Sequence, residues 1–277
     1  MGIDSHSLQL LCYAHEKFGE LGNTITLGRL AVLLGPKAAR KWAGTTGGAW
    51  CEPLLKEKFG ATLVDSIDNS KYEGATIVAD FNRPIPAQLE NRYDTVLDFG
   101  CTEHIFDVAQ SLRNVSALCR LGGKILHCVP SNGFCGHGFY QFSPELFWSW
   151  YSKINGYADT EVFLADFCDT KYWYRVPCPV DGKRINVRSF NELYVLVVTR
   201  KIGQTTQAAQ QSDYAFTWSQ STGEAAIHKP ARLGALREAL YSTRLTARFA
   251  DALDNRLATN GARRVQHHPA LTRILIE

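Results

Sequence analysis

The sequence predicts an α/β protein built on a Rossmann-like, doubly wound and mostly parallel sheet. Three observations point there. Short β-prone runs alternate with helical patterns between residues 52 and 151, the rhythm of strands joined by crossover helices. The runs hold consecutive apolar residues, as in Val96-Leu97 and Ile125-Leu126, rather than alternating, which suits strands covered on both faces. Two of the first three β runs after Gly22 end in an acid, Asp65 and Asp80.

Each element has a local reason. Apolar residues at Leu8, Leu10, Leu11, Tyr13, Ala14 and Phe18 lie near helical spacing, so residues 4–19 read as an amphipathic helix ending around Gly19–Gly22. Thr24–Leu27 is a short strand stopped by Gly28-Arg29. Residues 30–50 are ambiguous, a helix followed by a glycine-rich loop. Glu52–Phe59 reads as a helix closed by Gly60. Ala61–Asp65, Ala75–Asp80 and Tyr93–Phe99 read as strands. Asp107–Arg120 carries a helical face at Val108, Leu112, Val115 and Leu118 and is expected to end at Gly122-Gly123. Lys124–Val129 is a strand closed by Pro130, and Pro144–Tyr151 an aromatic helix capped by Ser143. Glu161–Phe167 and Leu193–Thr199 are two late strands. A single domain over residues 1–202 is expected, then a polar linker or excursion at 203–228, then a helical C-terminal appendage at 229–277 that packs on the domain or mediates self-association into a homo-oligomer.

Composition narrows the class. The chain has 277 residues, 45% hydrophobic and 21% charged, ordinary values for a globular protein with a sizeable core. A net charge of +3 argues for neither nucleic acid nor an acidic membrane surface. The aromatic run Tyr172-Trp173-Tyr174 therefore reads as core or pocket wall rather than a base-stacking platform. Eight cysteines without a CxxC pair suit reduced thiols in a cytoplasmic protein, and no metal ligands are expected. The N-terminal stretch lacks a basic segment followed by an apolar one, and no apolar run reaches membrane-spanning length, so neither a leader nor a membrane association is expected.

In open parallel sheets, ligands bind beyond the carboxyl ends of the strands, near the switch in strand order. The candidates are the residues just after each strand: Gly28 and Arg29, Asp65, Asp80 and Phe81, Gly100 to His104, and Pro130 to Asn132. An acid ending a second strand can accept from both ribose hydroxyls, and one ending a third can accept from an adenine amino group.

At these positions the chain resembles the class I S-adenosylmethionine-dependent methyltransferases. The resemblance is carried by YDTVLDFGCTEHIFD and SLRNVSALCRLGGKILHCVPSN within Tyr93–Asn132. This stretch is similar to the family's fourth strand, the Glu-His turn, a helix, a Gly-Gly turn and a fifth strand. The same Val96–Cys101 run also looks like the family's first glycine motif, but Thr102 and Glu103 stand where further glycines belong, and no acid ends the following strand. The first motif then falls on Leu21–Arg29, a degenerate version with Gly28 alone at the turn.

The resemblance implies a seven-stranded methyltransferase-type sheet, S-adenosyl-L-methionine as cofactor, and a small-molecule or sugar-like acceptor methylated by in-line transfer. It implies cofactor binding by Gly28, Arg29, Asp65, Asp80, Phe81, Gly100, Cys101 and Glu103, with Arg29 facing the methionyl carboxylate. If the acceptor is a hydroxyl, His104 and His137 are candidate catalytic bases. Asn132, Tyr140 and Gln141 are candidate substrate-binding residues in a loop rich in glycine and aromatics. The degenerate motif motivates an alternative: a methyltransferase-like binding or regulatory subunit without catalysis. A nicotinamide oxidoreductase is disfavoured because no GxGxxG follows the first strand.

Overall fold

The computed structural model describes residues 2–44, 48–179, 187, 189, 191–204 and 270–276. In chain order these form β1 (Gly2–Ile3), α1 (Ser5–Phe18), β2 (Gly22–Leu27), β3 (Ala31–Val32), α2 (Pro36–Ala43), α3 (Glu52–Phe59), β4 (Ala61–Asp68), β5 (Ile77–Val78), β6 (Tyr93–Asp98), α4 (Val108–Leu118), β7 (Cys119–Asn132), α5 (Pro144–Trp150), β8 (Tyr157–Asp166), β9 (Tyr172–Val176), β10 (Leu193–Lys201) and β11 (Thr272–Leu275).

The helix starts follow their capping residues. Asp4 accepts from the Ser7 amide at 2.9 Å, while the Ser7 hydroxyl accepts from the Asp4 amide at 2.8 Å, closing a reciprocal cap on α1. Asp107 accepts from the Gln110 amide (2.9 Å) to start α4. Ser143 accepts from the Glu145 amide (3.3 Å) to start α5, with Pro144 at its first position.

The main sheet has the order β11-β9-β8-β10-β7-β6-β2-β4-β5. β5, β4, β2, β6 and β7 are mutually parallel, and β10 runs antiparallel between β7 and β8. A small second sheet pairs β1 with β3. Among the described residues the main sheet thus has nine strands where seven were expected: β9 pairs with β8, and β11 pairs with β9, both antiparallel. The strand order reverses between β2, whose successor β4 lies on one side, and β6 on the other. That is the switch point of a doubly wound sheet.

Both faces are covered. Val96, Ile125, Val195 and Val197 join the side chains of α4 and α5 in one core, with Leu112, Val115, Phe147 and Trp150. Leu97, Leu126, Leu196 and Val198 join α1 and α3 in the other, with Leu10, Leu11, Leu54 and Phe59. Neighbouring residues on each strand point to opposite layers, and both layers are buried, which accounts for the consecutive apolar residues. The base of the sheet is tied by two buried amines. Lys201 Nζ donates to the Ser116 and Cys119 carbonyls at 2.7 Å each, satisfying groups where α4 gives way to β7. Lys124 Nζ donates to the Gly19 carbonyl (3.0 Å) beyond α1.

Several expectations are revised. The Ala61–Asp65 strand runs on to Asp68. The Ala75–Asp80 strand shrinks to Ile77–Val78, because Thr76 uses its hydroxyl as well as its amide toward Ser66. The helix over 107–120 ends at Leu118, and the chain is extended before it reaches Gly122-Gly123. Trp173 and Tyr174 are core residues of a strand, as their burial requires. The described end of the C-terminal appendage is the strand β11, while the expected linker from residue 205 and the rest of the tail to 269 lie outside the described residues. Among the described residues no helix is long and apolar enough to cross a membrane.

Phe163 of β8 is fully buried against Tyr13 and Trp173, with ring centroids 5.4 and 5.5 Å away. Phe163→Ala is expected to destabilise the fold by about 3–5 kcal/mol, measured as a lowered urea midpoint at unchanged slope. Glu57→Ala, on an exposed helix face, should stay within about 0.5 kcal/mol.

Candidate functional site

The site is built at the carboxyl edge of the parallel strands. After β2 the chain turns at Gly28, whose φ of +70° favours glycine. Its amide donates to the Ile67 carbonyl of β4 at 2.7 Å, and its own carbonyl accepts from the Thr26 hydroxyl at 2.7 Å. The chain then enters β3 rather than a helix, so no helix N-terminus sits directly behind this turn.

Arg29 is engaged by the protein itself. Its Nε donates to Glu52 Oε1 (2.7 Å), Nη1 donates to the Glu73 carbonyl (3.1 Å), and the guanidinium lies 4.4 Å from the Trp50 ring centroid. A carboxylate-binding role would compete with all three contacts, so the structure casts Arg29 as a clamp between the first crossover and the loop before β5.

Asp65 lies inside β4, not at its end. Its Oδ2 accepts from the Tyr93 hydroxyl (2.8 Å) and lies 3.8 Å from Arg92. The acid that ends β4 at the edge is Asp68, half-buried, with Oδ1 accepting only the weak amide bond of Ser70 (3.2 Å) among its described hydrogen bonds. Asp80 follows β5 in an exposed turn and accepts from the Asn82 amide and side chain at 2.9 Å each. These hydrogen bonds, with Arg83 nearby, hold its carboxyl below the ordinary range. The Phe81 ring is packed in the core with Leu27 and Ile67 and is not a wall of the edge.

The turn after β6 is the most strongly determined part. Asp98, fully buried, accepts from His127 Nδ1 through Oδ2 (2.8 Å) and from the Cys101 and Thr102 amides through Oδ1 (3.1 and 3.2 Å). His127 Nε2 pairs with the Tyr151 hydroxyl of the α5 cap at 2.6 Å. Burial alone would raise the Asp98 carboxyl, but the His127 bond and the two amides outweigh it, and the group lies below its ordinary value. The Asp-His-Tyr chain is sealed from solvent, so it positions the turn and reaches no substrate.

Gly100 (φ +95°) and Cys101 lead from there into a 3-10 turn, Thr102–His104. Glu103 is completely buried, and among the described residues neither carboxylate oxygen has a hydrogen-bond partner. Burial, reinforced by the Asp98 charge, pushes it up to about 8. The loop after β7 packs onto the Glu103 backbone: the Phe139 and Tyr140 amides donate to its carbonyl at 2.7 and 3.3 Å. A Cβ at Gly138 would stand 2.8 Å from that carbonyl, so only glycine allows the approach. This docking brings His137 beside His104, ring centroids 5.0 Å apart. Burial, then the neighbouring His137, lowers the His104 pKa. A cavity of about 180 Å3 opens here, lined by Gly100, Glu103, His104, Cys128, His137 and Tyr194 among others.

The polar substrate candidates are mostly engaged internally. Tyr140 donates to the Phe106 carbonyl (2.6 Å), and Gln141 accepts from the Phe134 amide (2.9 Å), so both shape the loop. Asn132 is exposed and makes a long bond to the Ser189 carbonyl (3.4 Å). Phe106 and Phe139, each two residues beyond one of the histidines, are exposed at 71% and 65% and meet edge to face, forming an exposed apolar surface. Sequence reasoning thus missed Asp68, Asp98 and His127.

No family model matches the sequence, and no curated protein matches it. Solved structures similar to this chain include 1,6-didemethyltoxoflavin-N1-methyltransferase of Burkholderia thailandensis, with S-adenosylhomocysteine bound, at 16% identity over 70% of this chain and 77% of that one, TM-score 0.36. They include the YcgJ protein of Bacillus subtilis, at 12% identity over 71% and 99%, TM-score 0.40. They also include phosphoethanolamine N-methyltransferase 2 of Haemonchus contortus, with S-adenosylhomocysteine, at 14% identity over 70% and 52%, TM-score 0.39. Methyltransferases are prominent among these similar structures. At such identities and TM-scores the likeness carries no argument about activity, and the functional reading rests on strand order and the site.

Asp98→Asn removes one charge of a buried pair while keeping its shape. A loss of about 3–5 kcal/mol in chemical denaturation is expected, with faster hydrogen exchange at the Cys101 and Thr102 amides.

Proposed function

We propose that this chain binds S-adenosyl-L-methionine across the switch point and transfers its methyl group to a small-molecule acceptor. One observation carries the reading. Four parallel strands, β4, β5, β2 and β6, bring Asp68, Asp80, Gly28 and Gly100–His104 to one edge, spanning the switch in strand order. Asp68, with few hydrogen bonds of its own, is the acid suited to the ribose hydroxyls, taking the role that the sequence suggested for Asp65. Asp80 suits the adenine side. Gly28, Gly100 and Cys101 offer the close backbone approach, and Glu103 lies beneath the methyl end.

The acceptor stands on the far side of that end, against His104 and His137, with Phe106 and Phe139 as its apolar wall. The reaction is an in-line displacement. The acceptor's lone pair forms the new bond to the methyl carbon as the carbon–sulfur bond breaks, and S-adenosylhomocysteine leaves. Its rate depends chiefly on holding the acceptor and methyl in line at about 3 Å. The engaged Arg29 and the missing helix behind Gly28 favour keeping the second reading, a cofactor-binding subunit without catalysis.

Calorimetry with S-adenosylmethionine and S-adenosylhomocysteine tests the proposal. Saturable binding is expected, weakened roughly 10- to 100-fold by Asp68→Ala, the loss of charge-assisted hydrogen bonds. Asp65→Ala should lower the melting temperature more than the affinity. No heat with either ligand, from a folded protein, rejects the methyltransferase reading. Binding without turnover across a panel of labelled-methyl acceptors selects the subunit.

A further inference from the structure

We infer that Glu103, His104 and His137 form a binding site for a divalent first-row transition-metal ion, with zinc(II) as the representative. The inference deepens the proposed function by naming what holds the acceptor, but the site itself stands on geometry alone. His104 Nε2 lies 4.0 Å and His137 Nε2 3.8 Å from Glu103 Oε1. The three residues' ligand atoms all lie within 4.8 Å of one another. Zinc bonds to imidazole nitrogen and carboxylate oxygen are about 2 Å long, so an ion placed between these atoms reaches all three after small side-chain rotations.

The second, independent observation is the state of Glu103. It is fully buried, and neither of its oxygens receives a hydrogen bond from the described residues. An isolated carboxylate in such surroundings is costly unless a cation or donors compensate it. Asp98, five residues earlier, shows what compensation looks like: a histidine and two amides on the same type of group. Glu103 has no equivalent among the described residues, and its carboxylate shares the cavity with both histidines.

The donor set chooses the ion. Two imidazoles and one carboxylate suit zinc, iron(II), cobalt or nickel, whereas magnesium and calcium prefer oxygen ligands alone. Three protein ligands leave at least one coordination position open, the arrangement of catalytic rather than structural sites. His104 and His137 are about half exposed, so the open position has a route to solvent. An oxygen-bearing acceptor could occupy it as a metal ligand, and the histidines would then hold the acceptor through the ion.

Metal binding is read without the cofactor. Titration of chelator-treated full-length protein with zinc(II), followed by calorimetry, is expected to show one ion per chain. Cobalt(II) should give a visible d–d absorption band, and magnesium should give no signal. His104→Ala, His137→Ala and Glu103→Gln should each weaken zinc binding roughly tenfold or more. His137 lies on a surface loop, so its variant tests the site even if Glu103→Gln folds poorly. Cys135→Ser, at a neighbouring exposed thiol, should leave binding unchanged. Absence of zinc binding, or binding that survives both histidine variants or disappears with Cys135→Ser, overturns the inference. S-adenosylmethionine affinity measured with chelator present is a separate readout. Its loss would reject the methyltransferase reading and leave the metal site standing, and the reverse pattern would do the opposite.

Discussion

The site depends on one buried carboxylate. Asp98 closes β6, and its two oxygens hold three donors from two places, two amides of the turn that follows it and His127 of β7, whose other ring nitrogen pairs with Tyr151 at the end of α5. Removing a charge from water is unfavourable unless every lone pair is used, and here the donors arrive from elements that would otherwise be free to shift. The same carboxylate therefore sets the direction in which Gly100–His104 leaves the sheet. Thr102, held at its amide, adds a side-chain bond to Ser111 of α4 at 3.1 Å, extending the same constraint to the opposite helix. The loop bearing His137 then docks on the Glu103 carbonyl, so its position follows from that of the turn.

Where periodicity and punctuation agree, the sequence is a good guide to this fold. Glu52–Phe59, Tyr93–Asp98 and Leu193–Lys201 appear where apolar pattern and glycine stops place them. The misread boundaries have local causes. Asp65 looked like the end of a strand because an acid followed an apolar run. Yet Tyr93 and Arg92 accommodate that charge beside the sheet, and Ser66 and Ile67 continue the ladder. Gly122-Gly123 looked like a helix stop, but Lys201 binds the carbonyls near Leu118 and ends α4 a turn earlier. Tyr172–Val176 has the aromatic composition of a strand, a signal that was present but read only as burial.

The site was legible in outline and obscure in detail. Its edge follows from strand order, so the positions of Gly28, Asp80 and Gly100–His104 just after β2, β5 and β6 could be read from the sequence. What each side chain touches was not available from position. Arg29 is satisfied by Glu52, a residue from the first crossover, and Tyr140 and Gln141 are satisfied within their own loop. The approach of His137 to Glu103 joins two loops across β6 and β7, and no spacing rule links residues brought together in that way. A search for cysteine pairs passes over such a set.

The strand β11 bears on how the molecule is put together in time. Its partner β9 lies far back in the chain, and a pairing between distant segments is entropically slow to form. The five-stranded parallel centre and β10 can assemble without it, so this margin of the sheet is expected to close last and to open first. While it is open, β9 offers a row of unpaired amides and carbonyls beside Trp173 and Tyr174, the pattern that invites strand exchange between molecules. The C-terminal strand thus acts as a guard on the sheet's outer margin, and molecular crowding during synthesis would fall hardest on the interval before it arrives.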